Sequence, residues 1–224
     1  MKIVFFGDSV TEGVFELIDN CKDGFVSVFD KQNVYHSLLI KKLSETYPNV
    51  EFTGINAGIA GQSSADGLAR IDKVLALNPD IVVVCFGLND ISKRDAQTYV
   101  SNMKKIFTLF LENNVKVVYM TPNFLNKYVD NSIMPRLVHT ATVCAACQNE
   151  GVPDEYFSKC VKEAKAMGIA VADAYKEWKK LEYYGIDTTK LLANGINHPT
   201  RAMHRLFADL LYDIIVKNEL EILK

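Results

Sequence analysis

The chain has 224 residues, 49% of them hydrophobic and 23% charged, and its 27 acidic and 25 basic side chains leave a formal net charge of −2. This length bounds the protein at one large domain or two small ones, and one is ample to bury a full core. The near-neutral balance, with no basic block, excludes the electrostatic footprint of a nucleic-acid or anionic-membrane binder.

Only four apolar residues separate Met1-Lys2 from Gly7-Asp8, fewer than the roughly 7–15 of a secretory signal core. No apolar stretch approaches the roughly 18 residues of a membrane span. The expected location is therefore cytoplasmic, with no membrane insertion. The five cysteines, Cys21, Cys85, Cys144, Cys147 and Cys160, are odd in number and irregularly spaced. They are expected as reduced thiols rather than a disulfide framework.

In chain order, Ile3-Val4-Phe5-Phe6 is a short apolar run closed by Gly7-Asp8-Ser9. The same format recurs at Val50–Asn56, Asp80–Phe86, Val115–Met120 and Ile169–Ala172. Such runs read as parallel strands buried on both faces. Helical spacing lies between them at Val34/Leu38/Leu39/Leu43, Leu68/Ile71/Leu75, Tyr99/Met103/Ile106/Phe107/Phe110 and Tyr156/Cys160/Val161/Ala164/Met167. After the fifth run, Leu206/Phe207/Leu210/Leu211/Ile214/Ile215 marks a C-terminal helix. The alternation predicts one doubly wound α/β domain over residues 1–224, a central five-stranded parallel sheet with helices on both faces.

Two connections are longer than the usual few residues, one near 10–32 and one near 122–153. Both leave the carboxyl ends of strands, where open α/β sheets bind ligands, so both are expected to wall the pocket and set substrate choice.

Gly7-Asp8-Ser9-Val10-Thr11-Glu12-Gly13 superficially suggests a phosphate loop, but it has neither G-x-G-x-x-G spacing nor a Lys-Ser/Thr pair. The acids Asp8 and Glu12 would also repel phosphate. The G-x-S-x-G elbow is absent, because Gly61-Gln62-Ser63-Ser64-Ala65 lacks the second glycine. Four other motifs stand in order at strand ends: Gly7-Asp8-Ser9, Asn56-Ala57-Gly58, Gly87-Leu88-Asn89-Asp90 and His198-Pro199. On these, the sequence resembles the SGNH, or GDSL-like, hydrolase family along nearly its whole length, which implies that family's flavodoxin-like fold.

Ser9 at a strand-to-loop corner can project its hydroxyl into the crevice, and a serine needs an adjacent base to become nucleophilic. His198 is the candidate base, since an imidazole can take the Ser9 proton and return it to the leaving alcohol. By resemblance, the backbone N–H groups of Ser9 and Gly58 and the side-chain amide of Asn89 form the oxyanion hole. Asp8 and Asp90, their neighbours in the motifs, are assigned to substrate binding. His36, His139 and His204 have no assigned role.

Members of the family it resembles usually carry an aspartate a few residues before the histidine, and Leu192-Ala193-Asn194-Gly195-Ile196-Asn197-His198 contains none. Asn194 is the nearest occupant and the candidate histidine-orienting position, although its NH₂ facing the ring would favour the wrong tautomer. A backbone carbonyl is the simplest substitute, because it only accepts; Asp173 and Asp187 are not placed near His198 by the sequence. The expectation is a Ser9–His198 dyad with carbonyl or water support. Cys144-Ala-Ala-Cys147, with His139 and Cys160 nearby, has zinc-ligand types, but helical character favours cysteines packed as small apolar residues, and no metal or organic cofactor is expected.

The expected activity is hydrolysis of a carboxylic ester through an acyl-serine, with a small-molecule ester as partner and an oligomer compatible with the sequence. The first long connection mixes Val14, Phe15, Leu17, Phe25, Val26 and Phe29 with Glu12, Glu16, Asp19, Asp23 and Asp30. Short acyl groups, acetyl on a sugar or similar polyol, are expected to be the substrate. The alternatives are a lysophospholipase or thioesterase acting on longer chains, and a catalytically weak carbohydrate-binding relative.

Overall fold

The apolar runs do become strands, because a chain segment with no polar face is stable only where both faces are covered. In the computed structural model, which describes residues 1–20 and 24–220, β1 (Lys2–Gly7), β4 (Thr53–Gly58), β5 (Ile81–Cys85), β6 (Lys116–Met120) and β7 (Ala170–Ala172) form one parallel sheet in the order β4-β1-β5-β6-β7. Cys21 and Asp23 lie outside the described residues. The two central strands are sealed, with Ile3, Val4, Phe5 and Phe6 fully buried and Ile81 to Val84 nearly so. The edge strand β4 departs from the expectation of burial on both faces: Thr53, Gly54 and Asn56 are exposed, since no strand among the described residues flanks its outer side.

The helices follow the apolar stripes. They include α2 (Tyr35–Thr46), α5 (Ala96–Glu112), α7 (Val152–Ala166) and α9 (Arg201–Ile215). Their buried faces carry the spaced residues, such as Met103, Ile106, Phe107 and Phe110 on α5. The Leu68/Ile71/Leu75 stripe is split into α3 (Ser64–Ala69) and α4 (Ile71–Leu75) at Arg70. The Arg70 guanidinium sits 4.5 Å from the Phe6 ring centroid and donates to the Gly7 carbonyl at 3.1 Å.

The connection near 10–32 is not an irregular loop. It holds a single turn, α1 (Ser9–Glu12), and an antiparallel hairpin of β2 (Val14–Asn20) and β3 (Gly24–Phe29). The connection near 122–153 runs without regular structure to a short 3₁₀ turn and then into α6 (Val138–Asn149). The last helix but one, α8 (Ala174–Tyr183), follows β7. No helix among the described residues is long and apolar enough to cross a membrane.

The first strand is flanked by β4 and β5, so the crossovers after β1 and β4 run in opposite directions. Such a switch point opens a crevice beyond the carboxyl ends of the strands. The chain segments after Gly7, Gly58 and Cys85 all emerge there.

Candidate active site

Ser9 owes its position to a sharp exit from β1. A Cβ on Gly7 would lie 2.2 Å from Thr11 Oγ1 and 2.6 Å from the Cys85 carbonyl oxygen, so a glycine is needed where the strand turns straight into α1. Asp8 caps that turn, its carboxylate accepting from the Val10 N–H at 3.0 Å. Glu12 then ties α1 to the segment after β4: its carboxylate accepts from the Ala60 N–H at 2.6 Å, and its carbonyl from the Asn56 amide at 3.0 Å.

His198 lies 189 residues further along the chain, with Nε2 2.9 Å from Ser9 Oγ. Its Nδ1 lies 3.2 Å from the main-chain oxygen of Phe15 in β2. A carbonyl oxygen can only accept, so the proton of the neutral ring belongs on Nδ1, which leaves the Nε2 lone pair facing the Ser9 hydroxyl. Burial lowers the His198 pKa to about 4, the Phe15 contact opposing that shift. The ring is thus neutral at physiological pH and able to take a proton.

Asn194 does not reach the ring as a hydrogen-bond partner, which corrects its assignment as the group that orients the imidazole directly. Its Oδ1 accepts from the N–H groups of Ile196, Asn197 and His198 at 3.0, 2.9 and 2.9 Å, and its Nδ2 donates to Asn197 Oδ1 at 2.9 Å. The amide folds the main chain that carries the histidine. Asp187 accepts from the Tyr128 hydroxyl and the Thr189 N–H, and Asp173 from the Thr121 hydroxyl and the Lys176 N–H. Neither bonds to His198.

The glycine at the mouth of the crevice is Gly61, not Gly58. The Gly58 N–H donates to Asn56 Oδ1 at 2.8 Å, and a Cβ there would come within 2.3 Å of the Glu12 nitrogen. Gly58 serves close packing against α1, and its donor is already used. Gly61 has φ +77°, nothing within 4 Å of a Cβ position, and an N–H that bonds to no described residue. It lines a cleft of about 290 Å³ together with Ser9, Asn89 and His198. The Asn89 amide is aimed by a bond to the Gln62 carbonyl at 2.9 Å, which leaves its second N–H free for a ligand. The Asn56-x-Gly58 spacing is that of an Asx turn, in which the side-chain oxygen takes the N–H two residues on; that signal in the sequence separates the two glycines.

Asp8 and Asp90 are likewise corrected from substrate contacts to buried supports, being 1% and 5% exposed. Asp90 accepts from the N–H and hydroxyl of Ser64. Burial raises the pKa of both, that of Asp8 to about 7, with the nearby Asp90 adding to the rise.

Cys144 and Cys147 lie on α6 and Cys160 on α7; burial pushes the Cys144 thiol up to about 11 and that of Cys160 to about 12. His139 is exposed. Among the described residues no three His, Cys, Asp or Glu side chains meet as a metal-binding group.

The cleft wall also includes Val14, Leu17, Phe25 and Ser27 of the hairpin, Leu137 and Thr140 after β6, and Asn194, Ile196 and Asn197 ahead of His198. A serine hydroxyl bonded to a neutral, buried imidazole, beside unoccupied N–H donors, is the arrangement of a nucleophilic hydrolase. Residues 5–206 match the GDSL-like lipase/acylhydrolase family, and the chain belongs to that family. It is thus a carboxylic ester hydrolase.

An arylesterase of Vibrio mimicus is 29% identical over 147 residues, 60% of this chain and 72% of the relative. Among solved structures, the acetyl xylan esterase AlAXEase superposes with a TM-score of 0.71 at 23% identity, covering 95% of this chain and 98% of its own. The acetylxylan esterase Axe2 of Geobacillus stearothermophilus gives 0.67 at 18% identity, covering 96% and 92%. Those two likenesses establish the fold.

Proposed function

We propose that the protein is a serine esterase that removes short acyl groups, acetyl foremost, from a carbohydrate or similar small polyol. The observation that carries this reading is the 2.9 Å contact between Ser9 Oγ and His198 Nε2, with Nδ1 held by the Phe15 carbonyl. Ser9 Oγ attacks the ester carbonyl carbon as its proton passes to Nε2, giving a tetrahedral oxyanion and an imidazolium whose Nδ1–H stays on Phe15 O. The N–H groups of Ser9 and Gly61 and the Asn89 amide receive the oxyanion. Collapse breaks the C–O bond to the alcohol, which leaves with the Nε2 proton. Water then attacks the acyl-serine by the same proton route, releasing the acid and restoring Ser9.

The size and lining of the cleft support a small substrate. About 290 Å³ lies at the low end of the roughly 300–1,000 Å³ of small-molecule sites. The wall beside Ser9 is mostly apolar, suited to an acyl group, and the neighbouring cleft of about 380 Å³, which shares Leu17, Leu137 and Asn194 with it, carries Ser132, Thr189 and Lys190. The acetyl-xylan names of the two structural neighbours agree with this choice. Exposed Ile18, Val26 and Phe29 on the hairpin favour a second reading, longer acyl chains resting on that face.

Hydrolysis of p-nitrophenyl esters from acetate to palmitate, and of acetylated xylo-oligosaccharides, tests both, with Ser9→Ala as control. Serine-dependent turnover greatest on acetate supports the proposal. An optimum at long chains moves the assignment to a lysophospholipase or thioesterase, and equal inertness of both proteins, with sugar binding retained, points to a silent carbohydrate binder.

A further inference from the structure

The ladder between β2 and β3 pairs Val14 with Phe29 but Leu17 with Ser27. Three steps along β2 therefore face two along β3, and the extra residue is absorbed at Phe15-Glu16 as a β-bulge. A bulge takes a residue out of the ladder and re-aims its polar groups, and the carbonyl released here is the one that meets His198 Nδ1. A hairpin carbonyl is a useful partner only if the hairpin is fixed to the segment bearing the histidine.

That fixation converges on Arg201, three residues after His198 at the start of α9. Its guanidinium donates from Nη1 to Glu16 Oε1 at 2.5 Å and from Nη2 to Oε2 at 3.3 Å. Its Nε donates to Asp30 Oδ2 at 2.7 Å, just past the end of β3. The same guanidinium lies 4.5 Å from the centroid of the Phe15 ring, which also packs on His204 at 4.6 Å between centroids. One side chain thus grips both residues of the bulge and the base of the hairpin, where the Asp30 N–H donates to the Gly13 carbonyl at 3.2 Å. A planar, bidentate fork fixes direction as well as distance, which the point charge of lysine does not.

We infer that Arg201 is a positioning residue: through Glu16, Asp30 and the Phe15 ring it holds the bulge so that the Phe15 carbonyl orients His198, the service a carboxylate renders in an acid-containing triad. This rests on the Ser9–His198 reading of the site. Arg201 is not among the residues lining the cleft; it acts through the hairpin.

The test compares wild type with Arg201→Ala, Arg201→Lys and the charge-removing pair Glu16→Gln/Asp30→Asn on p-nitrophenyl acetate, with folding checked by circular dichroism. Loss of orientation is expected to lower kcat by about 10²-fold in Arg201→Ala, with KM within about threefold of wild type. Arg201→Lys should recover only part of that loss, added guanidinium chloride at sub-denaturing concentration should restore activity to Arg201→Ala alone, and the Glu16/Asp30 pair should match Arg201→Ala. Nitrogen-15 NMR of labelled histidine gives a readout free of turnover: the His198 Nδ1–H tautomer, fixed in wild type, should become mixed in Arg201→Ala and in the Glu16/Asp30 pair.

Folded variants with wild-type kcat and an unchanged tautomer would overturn the inference, as would a loss confined to KM. If wild type turns over no ester, the esterase reading fails while the NMR comparison still decides whether Arg201 sets the ring. If Arg201→Ala does not fold, the Glu16/Asp30 pair, which preserves side-chain volume, carries the decision.

Discussion

His198 Nδ1 and the carbonyl oxygen of Phe15 lie 3.2 Å apart across 183 residues of sequence. The partner is neutral, so it fixes the ring's direction without adding the full negative charge that would favour an imidazolium. Burial then dominates, and the pKa of the ring falls to about 4.

A pH profile reads this directly. In the proposed mechanism His198 must be neutral to accept the Ser9 proton, so kcat/KM is expected to hold level from about pH 5 upward and to fall through about pH 4. The measurement is kcat/KM for a soluble acetate ester between pH 3 and pH 8, corrected for acid unfolding; an acidic limb centred near 6.5 would show an imidazole in ordinary solvent.

Exchange at residue 194 separates a ring contact from a main-chain role. Asparagine and aspartate serve almost equally as acceptors of clustered N–H groups, so Asn194→Asp is expected to stay within about threefold of wild-type kcat. Asn194→Ala abandons three N–H donors and should destabilise the protein by about 1–3 kcal/mol. A hundredfold gain in Asn194→Asp would mean that a carboxylate there reaches the imidazole after all.

The donors proposed for the oxyanion site can be told apart by what their loss changes. Asn89→Ala is expected to lower kcat by about 10²–10³-fold with KM nearly constant. Asn56→Ala removes both the acceptor of the Gly58 N–H and the donor to the Glu12 carbonyl, and should cost about 1–3 kcal/mol of stability while lowering kcat far less than Asn89→Ala. Melting curves and steady-state kinetics on the two variants would expose a reversed assignment.

Asp8 predicts a pH-dependent gain. Its pKa is raised on folding from 3.8 to about 7, so the folded state binds the proton more tightly, and stability declines as pH rises from about 4 to 7 and stays lowered above. The full shift corresponds to roughly 4 kcal/mol at 1.36 kcal/mol per unit. Asp8→Asn keeps an acceptor for Val10 and removes the charge, so its Tm should exceed wild type at pH 8 and converge with it near pH 4. A lower Tm at pH 8 would contradict the buried, unpaired carboxylate.

The sheet was legible because its central strands are apolar on both faces, a pattern that survives whatever surrounds them. The hairpin was not, since Val14-Phe15-Glu16-Leu17-Ile18 lacks strict alternation, the bulge shifting which residues face inward. Ser9, Asn89 and His198, which share one cleft, could be singled out because their side chains offer chemistry that is visible in a sequence. The Phe15 carbonyl and the Gly61 N–H were not, because every residue owns a main-chain oxygen and nearly every one an N–H, and only tertiary geometry selects among them. Asp8 and Asp90 misled for the converse reason: a carboxylate beside a reactive serine resembles a ligand contact until its burial is known.

An orienting group made of main chain changes which mutations are dangerous. Replacing the side chain at position 15 cannot delete the acceptor itself, as replacing an aspartate would; substitution can only displace it, through the packing and ion pairs that hold the bulge. What it is exposed to is length: deletion of one residue between Val14 and Leu17 would restore regular pairing in the ladder and turn the carbonyl back into it. Selection on this element should therefore forbid insertions and deletions in the hairpin, the reverse of the tolerance usually granted to a surface β-turn.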